Sequence, residues 1–209
     1  NYNYDMLGRL QRMDVTGGDS ILYKYNNLNQ VTGTTYNFNG VTKSSTYTYD
    51  KGSIPKLTTY PNNATKAHGL NDQAQLDETV LTTTGTNQWE TACVYYTAID
   101  DGVSYTTNLV GDYTFKEIGR TISYTYDGSG NIATKADTKY STTDKIEYFY
   151  DELNQLIREN DPVANKTITY VYDDGGNILE KREYDYTTSS TLGTPTKTIT
   201  YTYDAQWKD

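Results

Sequence analysis

Tyr124-Thr125-Tyr126-Asp127-Gly128-Ser129-Gly130-Asn131-Ile132 is the stretch whose reading decides the fold. Tyr124 and Tyr126 are separated by one residue, so on a strand both rings point to the same face. Asp127 suits the first position of a type I turn, where its side chain accepts a backbone N–H two residues on. Gly130, at the fourth position, tolerates positive φ, and Ile132 re-enters a strand. The stretch reads as strand, tight turn, strand.

The Tyr-x-Tyr-Asp phrase returns along the whole chain. It stands at Tyr2, Tyr4 and Asp5; at Tyr47, Tyr49 and Asp50; at Tyr148, Tyr150 and Asp151; at Tyr170, Tyr172 and Asp173; and at Tyr201, Tyr203 and Asp204. Tyr23 and Tyr25 begin a further copy with Asn26 in place of Asp, which makes seven in all. The fourth turn position is Gly8, Asn29, Asn154 or Gly176, and Gly and Asn share an ease with left-handed geometry. The aliphatic residue that follows is Leu10, Val31, Leu156 or Ile178. Successive second tyrosines lie 21, 24, 24, 22 and 31 residues apart within the two regular stretches. About 22 residues suffices for two strands and two short turns, so each repeat predicts one β-hairpin. The longest interval places an extended loop at Thr187 to Pro195, rich in Thr, Ser, Gly and Pro.

Composition fits a sheet with a shallow interior. The 209 residues include 23 Tyr but only three Phe and two Trp, and mean hydropathy is −0.79. Aromatic burial must therefore replace much of what Leu and Ile do elsewhere, with phenol hydroxyls kept near an edge. Tyr, Thr, Val and Ile at period two argue against disorder. A net charge of −9 and a pI near 4.6, with no cluster of Lys and Arg, exclude nucleic acid as an expected partner. The single Cys93 precludes an internal disulfide and leaves the redox compartment open. No signal peptide and no long apolar run appears.

Between Lys51 and Gly111 the register fades, although Tyr60, Tyr95, Tyr96 and Tyr105 persist and Asp100-Asp101-Gly102 looks like a hairpin turn. Degenerate repeats are expected to continue the sheet through this section. Asn71 fits equally the cap of a short helix over Asp72 to Asp77 and a residue of a loop. Tyr113 to Phe115 and Gly119 to Ile122 resume a weak repeat. A single array over residues 1–209 results, regular at 1–50 and 113–204 and degenerate at 51–112.

Tyr2-Asn3-Tyr4-Asp5-Met6-Leu7-Gly8-Arg9-Leu10 resembles the YD repeat of Rhs-type proteins, of the C components of bacterial toxin complexes and of teneurins. Later copies depart from it by putting Gln30, Asn131, Gln155 or Asn177 where the first has Arg9. The resemblance implies an all-β chain of consecutive antiparallel hairpins in a curved, twisted sheet, a segment of a β-spiral shell. It implies a non-catalytic scaffold with no cofactor, secreted or at a bacterial cell surface. The remainder of the shell and an enclosed C-terminal toxin domain would be its partners. In teneurins a similar shell supports adhesion. No stretch resembles the family's self-cleaving region, and ends that fall inside repeats read as cuts in a longer polypeptide. Edge strands are expected to favour self-association.

Other chemistry has few residues to draw on. A nucleophilic site would have to use His68 or Cys93, which read better as a loop residue and a small buried hydrophobe. Asp100-Asp101, Asp127 and Asp173-Asp174 match turn positions and no calcium-loop spacing. Asn63-Ala64-Thr65 and Asn165-Lys166-Thr167 fit the glycosylation pattern, with no modification expected. The second functional reading is a carbohydrate- or cell-surface-binding module in which Trp89 and Trp207 stack on sugars.

Overall fold

The computed structural model describes residues 1–50, 53–83 and 88–203. The chain divides into two compact units, the first of Asn1–Cys93 with Phe115–Ile118, the second of Val94–Thr114 with Gly119 onward. The first holds β1 (Tyr2–Tyr4), β2 (Leu10–Asp14), β3 (Ser20–Tyr25), β4 (Val31–Phe38), β5 (Val41–Tyr49), β6 (Pro55–Thr59), β7 (Thr65–Leu70), β8 (Leu76–Thr82) and the start of β9 (Gln88–Asp100). Each pairs antiparallel with the next. The second holds the rest of β9, most of β10 (Val103–Phe115), β11 (Arg120–Tyr126), β12 (Ile132–Asp137), β13 (Lys145–Tyr150), β14 (Leu156–Asp161), β15 (Lys166–Tyr172), β16 (Ile178–Asp185) and β17 (Lys197–Thr200). From β11 onward the pairing is again antiparallel in chain order. Among the described residues there is no α-helix, only a 3₁₀ turn at Lys116–Ile118. The fold is all-β, a succession of antiparallel hairpins.

One turn recurs. The Asp127 carbonyl accepts the Gly130 N–H at 3.1 Å, and the Asp127 N–H donates to Asn131 O at 2.9 Å. Gly130 takes φ 86°, and the register slips where Tyr126 faces Ile132. This is a type I turn closed by a left-handed residue and a bulge, a combination suited to the right-handed twist of hairpins. The same slip pairs Tyr4 with Leu10, Tyr25 with Val31, Tyr49 with Pro55, Tyr150 with Leu156 and Tyr172 with Ile178.

The degenerate section hides another copy. Leu70 faces Leu76 across the same slip. Of the two readings of Asn71 the loop holds and the helix cap does not: in the connection between β7 and β8 its Oδ1 accepts N–H bonds from Gln73 at 3.0 Å and Gln75 at 2.9 Å. Ala74 then takes the left-handed position with φ 60°, so 72–77 runs through the turn into β8 and forms no helix. On the opposite edge the turns vary. Asn39-Gly40 there, and Asp101-Gly102 between β9 and β10 at the end where the Asp turns lie, are two-residue turns with positive φ throughout, as a type I′ hairpin requires. Asn63 and Asn165, which fit the glycosylation pattern, are left-handed turn residues with φ of 61° and 52°.

Burial is thin on both faces. Ala64 and Tyr184 are the buried hydrophobics among the described residues, while Ser20, Thr34, Ser45, Asn160 and Thr167 are buried polar groups. Thr167, Asn160 and Arg158 tie down the 186–196 loop. Thr167 Oγ1 accepts the Thr187 N–H at 3.0 Å, Arg158 Nη2 donates to Thr187 O at 2.8 Å, and Arg158 Nε donates to Asn160 Oδ1 at 2.8 Å. Such buried polar groups are tolerated because they are partnered.

Ala74 bears a side chain in a conformation that Cβ disfavours and that Asn accepts more readily. Ala74→Asn is expected to raise stability by about 0.5–1 kcal/mol, read as a higher urea midpoint. An unchanged or lower midpoint would contradict this account of the turn.

Candidate functional site

The repeated tyrosines have a polar task that the sheet geometry creates. Pairing between β2 and β3 ends at Arg12 and Leu22, short of the turns that begin at Asp5 and Asn26. Beyond that point the Leu10 carbonyl has no ladder partner on β3. Tyr25 reaches across and donates its phenol O–H to Leu10 O at 2.7 Å. Tyr49 does the same to Val31 O at 2.8 Å, Tyr126 to Val110 O at 2.8 Å and Tyr150 to Ile132 O at 3.0 Å. Tyr172 donates to Leu156 O at 2.8 Å and Tyr203 to Ile178 O at 2.9 Å. The second tyrosine of every phrase after the first thus joins its hairpin to the strand before it. Cross-strand ring stacking between phrases is not the main link. The ring pairs found among the described residues, Tyr36 with Phe38 and Tyr96 with Tyr126, do not join two phrases.

The Asp side chains build the turns more fully than the phrase alone indicates. Asp127 Oδ1 accepts from both Ser129 N and Asn131 N at 2.9 Å. Asp5, Asp151 and Asp173 accept the equivalent pairs, from Leu7 and Arg9, Leu153 and Gln155, and Gly175 and Asn177. Asp50 accepts from Ile54. The residue four past the Asp, variable in sequence, completes the unit. Arg9 Nε donates to Asp5 Oδ2 at 2.6 Å, Asn131 Nδ2 to Asp127 Oδ2 at 3.0 Å and Asn177 Nδ2 to Asp173 Oδ2 at 3.1 Å. Where Asn replaces Asp, a Gln answers it as acceptor: Asn71 Nδ2 donates to Gln75 Oε1 at 2.7 Å, and Asn26 donates to Gln30.

This residue also links neighbouring turns. Arg9 Nη1 donates to Asn26 O at 3.1 Å and to Asn29 Oδ1 at 2.9 Å, with its guanidinium carbon 4.6 Å from the Tyr25 ring centroid. Asn131 Nδ2 donates to Asn154 Oδ1 at 2.8 Å. The Asn at the left-handed position therefore serves twice, as turn former and as acceptor.

Charge follows geometry. The Arg9 hydrogen bonds hold the Asp5 carboxyl below its usual range, those of Asn131 lower Asp127, and the Arg120 guanidinium lowers Asp137. Tyr148, on β13 opposite Glu159, is half-buried. Burial first, then the Glu159 and Asp161 charges, push its phenol up to about 12. Burial also raises Tyr150, Tyr170, Tyr172 and Glu159.

The remaining candidates are dispersed. Tyr2 and Tyr4 are 63% and 61% exposed on β1, while Tyr23 faces Thr34 and Tyr47 bonds Thr34 Oγ1 at 3.1 Å. Tyr124 faces Lys135, and Tyr170 faces Lys181, whose Nζ lies 6.0 Å from its ring centroid. Gly8, Gly130, Gly176, Asn29 and Asn154 all take positive φ, and Tyr201 is partly exposed beyond β17. Trp89 lies on β9 opposite Leu81 and is 51% exposed, with no second aromatic ring paired to it among the described residues. Trp207 and Asp204 lie outside the described residues. His68 is not in a loop; it sits on β7 facing Thr79, whose Oγ1 is 3.1 Å from its Nδ1, and burial lowers its pKa. Cys93 lies in β9 and is partly buried. Among the described residues no group of three His, Cys, Asp or Glu side chains is placed to hold a metal.

No protein-family model matches the chain, and no curated protein sequence does. Solved structures do resemble it. A crystal structure of TcdB2-TccC3-Cdc42 matches 92% of this chain at 14% identity with a TM-score of 0.51. TcdB2-TccC3-TEV matches 97% at 14% identity and 0.48, and the Photorhabdus luminescens Tc holotoxin pore carrying TccC3-D651A matches 85% at 15% identity and 0.47. At such identities the likeness concerns the fold alone, and the chain spans 12% of the length of each of these structures.

Removing one phenol hydroxyl orphans a carbonyl. Tyr150→Phe is expected to cost about 1 kcal/mol in urea unfolding, while Tyr4→Phe, at a ring 61% exposed, leaves the midpoint unchanged. Equal effects would show that the inter-hairpin bond contributes nothing. A second expectation concerns alkali. Because the fold raises the Tyr148 pKa above its ordinary value of 10.0, the resulting stability is complete below that pH and is lost as pH rises through about 12. Tyrosinate absorbance and circular dichroism should therefore change together over this window in the wild type. In Tyr148→Phe the loss of stability should be smaller.

Proposed function

We propose that this chain is a stretch of wall in a YD-repeat shell, a non-catalytic scaffold that helps enclose and deliver a C-terminal toxin of its parent polypeptide. The observation that carries this reading is the phenol-to-carbonyl bond repeated from hairpin to hairpin. A unit that bonds the hairpin before it through the same atoms each time can be added repeatedly, so a sheet grows by repetition. The phrase resembles the repeat of Rhs-type proteins, and the fold is similar to that of a toxin-complex crystal structure at a TM-score of 0.51. On this reading the protein acts by excluding protease and solvent from a passenger, at a bacterial surface or after secretion.

The test is limited proteolysis of the polypeptide expressed with the sequence that flanks the chain in its gene. A passenger should resist cleavage in the wild type and become cleavable when Tyr150 and Tyr172 are both changed to Ala. A passenger cleaved equally in both would sink the proposal. Half-exposed Trp89 supports the rival, a surface-binding module. A specific glycan-array hit lost in Trp89→Ala would favour it.

A further inference from the structure

The joint between β6 and β7 departs from the pattern of phenol-to-carbonyl bonds. Pairing there ends at Leu57 and Ala67, two residues short of Pro55 and Gly69. The joints of β4 with β5, β12 with β13 and β14 with β15 end in the same register, at Gly33 with Thr46, Thr134 with Glu147 and Arg158 with Thr169. In those three the carbonyl two residues back is met by Tyr49, Tyr150 or Tyr172. Pro55 faces Tyr49 across the register slip as Val31 faces Tyr25, so its carbonyl is the equivalent acceptor. The equivalent donor position is occupied by Leu70, which faces Leu76 across its own slip and has no hydroxyl to offer. Pro55 is exposed, whereas Leu10, Val31, Ile132, Leu156 and Ile178, each of which meets a phenol, are partly buried.

A cleft of about 250 Å³ lies at this joint, lined by Asp50, Pro55, Lys56, His68, Gly69 and Leu70. We infer that it binds a phenol group, either the side chain of a tyrosine in a polypeptide or a small free phenol, whose hydroxyl donates to Pro55 O. Six phenols of the chain itself, at the equivalent joints, show what this backbone geometry accepts.

The lining suits a single ring. His68 stands where the other phrases have their first tyrosine, its Nδ1 3.1 Å from Thr79 Oγ1, and Gly69 beside it adds no side chain. Pro55 and Leu70 offer apolar contact, and the Lys56 ammonium is a partner for a ring face. The volume is below the roughly 300–1,000 Å³ of pockets for drug-sized ligands. A phenol is uncharged, so it requires no excess of either sign from Asp50, Lys56 and His68. An anion would meet the Asp50 carboxylate, and among the described residues no group of three side chains is placed to hold a metal.

The test follows the Pro55 carbonyl by NMR in the 209-residue chain, isotope-labelled at its proline carbonyls; the chain has four prolines, and Pro55→Ala identifies the signal. Titration with p-cresol and with amide-blocked tyrosine is expected to move that signal saturably, with a Kd on the order of 1 mM for ligands of this size. The tighter of the two identifies the source. Toluene and amide-blocked phenylalanine, which lack the hydroxyl, should bind about fivefold more weakly. Leu70→Tyr supplies a phenol from within the chain and should abolish binding, with a urea midpoint at or above that of the wild type. Absence of a saturable shift with either phenol, equal binding of the analogues without the hydroxyl, or undiminished binding in Leu70→Tyr would overturn the inference. The wild-type titrations decide it even where Leu70→Tyr does not fold.

Discussion

The recurrent turn depends on one side-chain oxygen that accepts two backbone N–H groups. At Asp127 these come from Ser129 and Asn131, and together they fix the tight turn that brings Ile132 alongside Tyr126. Without that acceptor the two donors would face solvent and the chain would keep the conformational freedom that the turn removes. The left-handed residue and the bulge follow from the same closure. The bulge in turn ends the inter-hairpin ladder early, and the carbonyl left over is the one that the next tyrosine meets. Turn and rung are consequently two parts of one geometric event.

This arrangement explains how so polar a chain folds with little buried hydrophobic surface. Ala64 and Tyr184 alone, among the described residues, are buried hydrophobics. Cohesion is instead spread over many modest terms: partnered hydroxyls such as Thr167, phenol rungs, and turn-to-turn bonds such as Arg9 to Asn29. Each contributes on the order of 1 kcal/mol, so removing one weakens a joint without dissolving the array.

Regular repetition leaves little room for recognition, and the distinctive features lie where the repeat is interrupted. The 186–196 loop is anchored by Arg158 and Thr167 rather than left as a loose lengthened turn. A cleft lined by Tyr140, Ile146, Asp161 and Val163 lies on the edge away from the Asp turns, where the connections vary in length. Variation there does not disturb the phenol rungs, so chemistry can change while the scaffold persists.

Tyr-x-Tyr-Asp with Gly or Asn three residues on determined the all-β class, the hairpin unit and the left-handed turn positions, because period and turn chemistry are local. It did not reveal that Asn71 and Ala74 form the same turn, since neither residue matches the phrase and Ala is an unusual occupant of left-handed backbone. Nor did it show that Gln30, Asn131 and Asn177 continue the task of Arg9. They differ from Arg9 in type, and their equivalence appears only when donor and acceptor are seen paired with Asn26, Asp127 and Asp173. The tyrosines read as same-face aromatic residues with hydroxyls near an edge because ring spacing is visible in sequence, whereas a carbonyl orphaned by an early end to strand pairing is not. Which strands part early was decided by the tertiary structure, because this depends on register between segments distant in the chain.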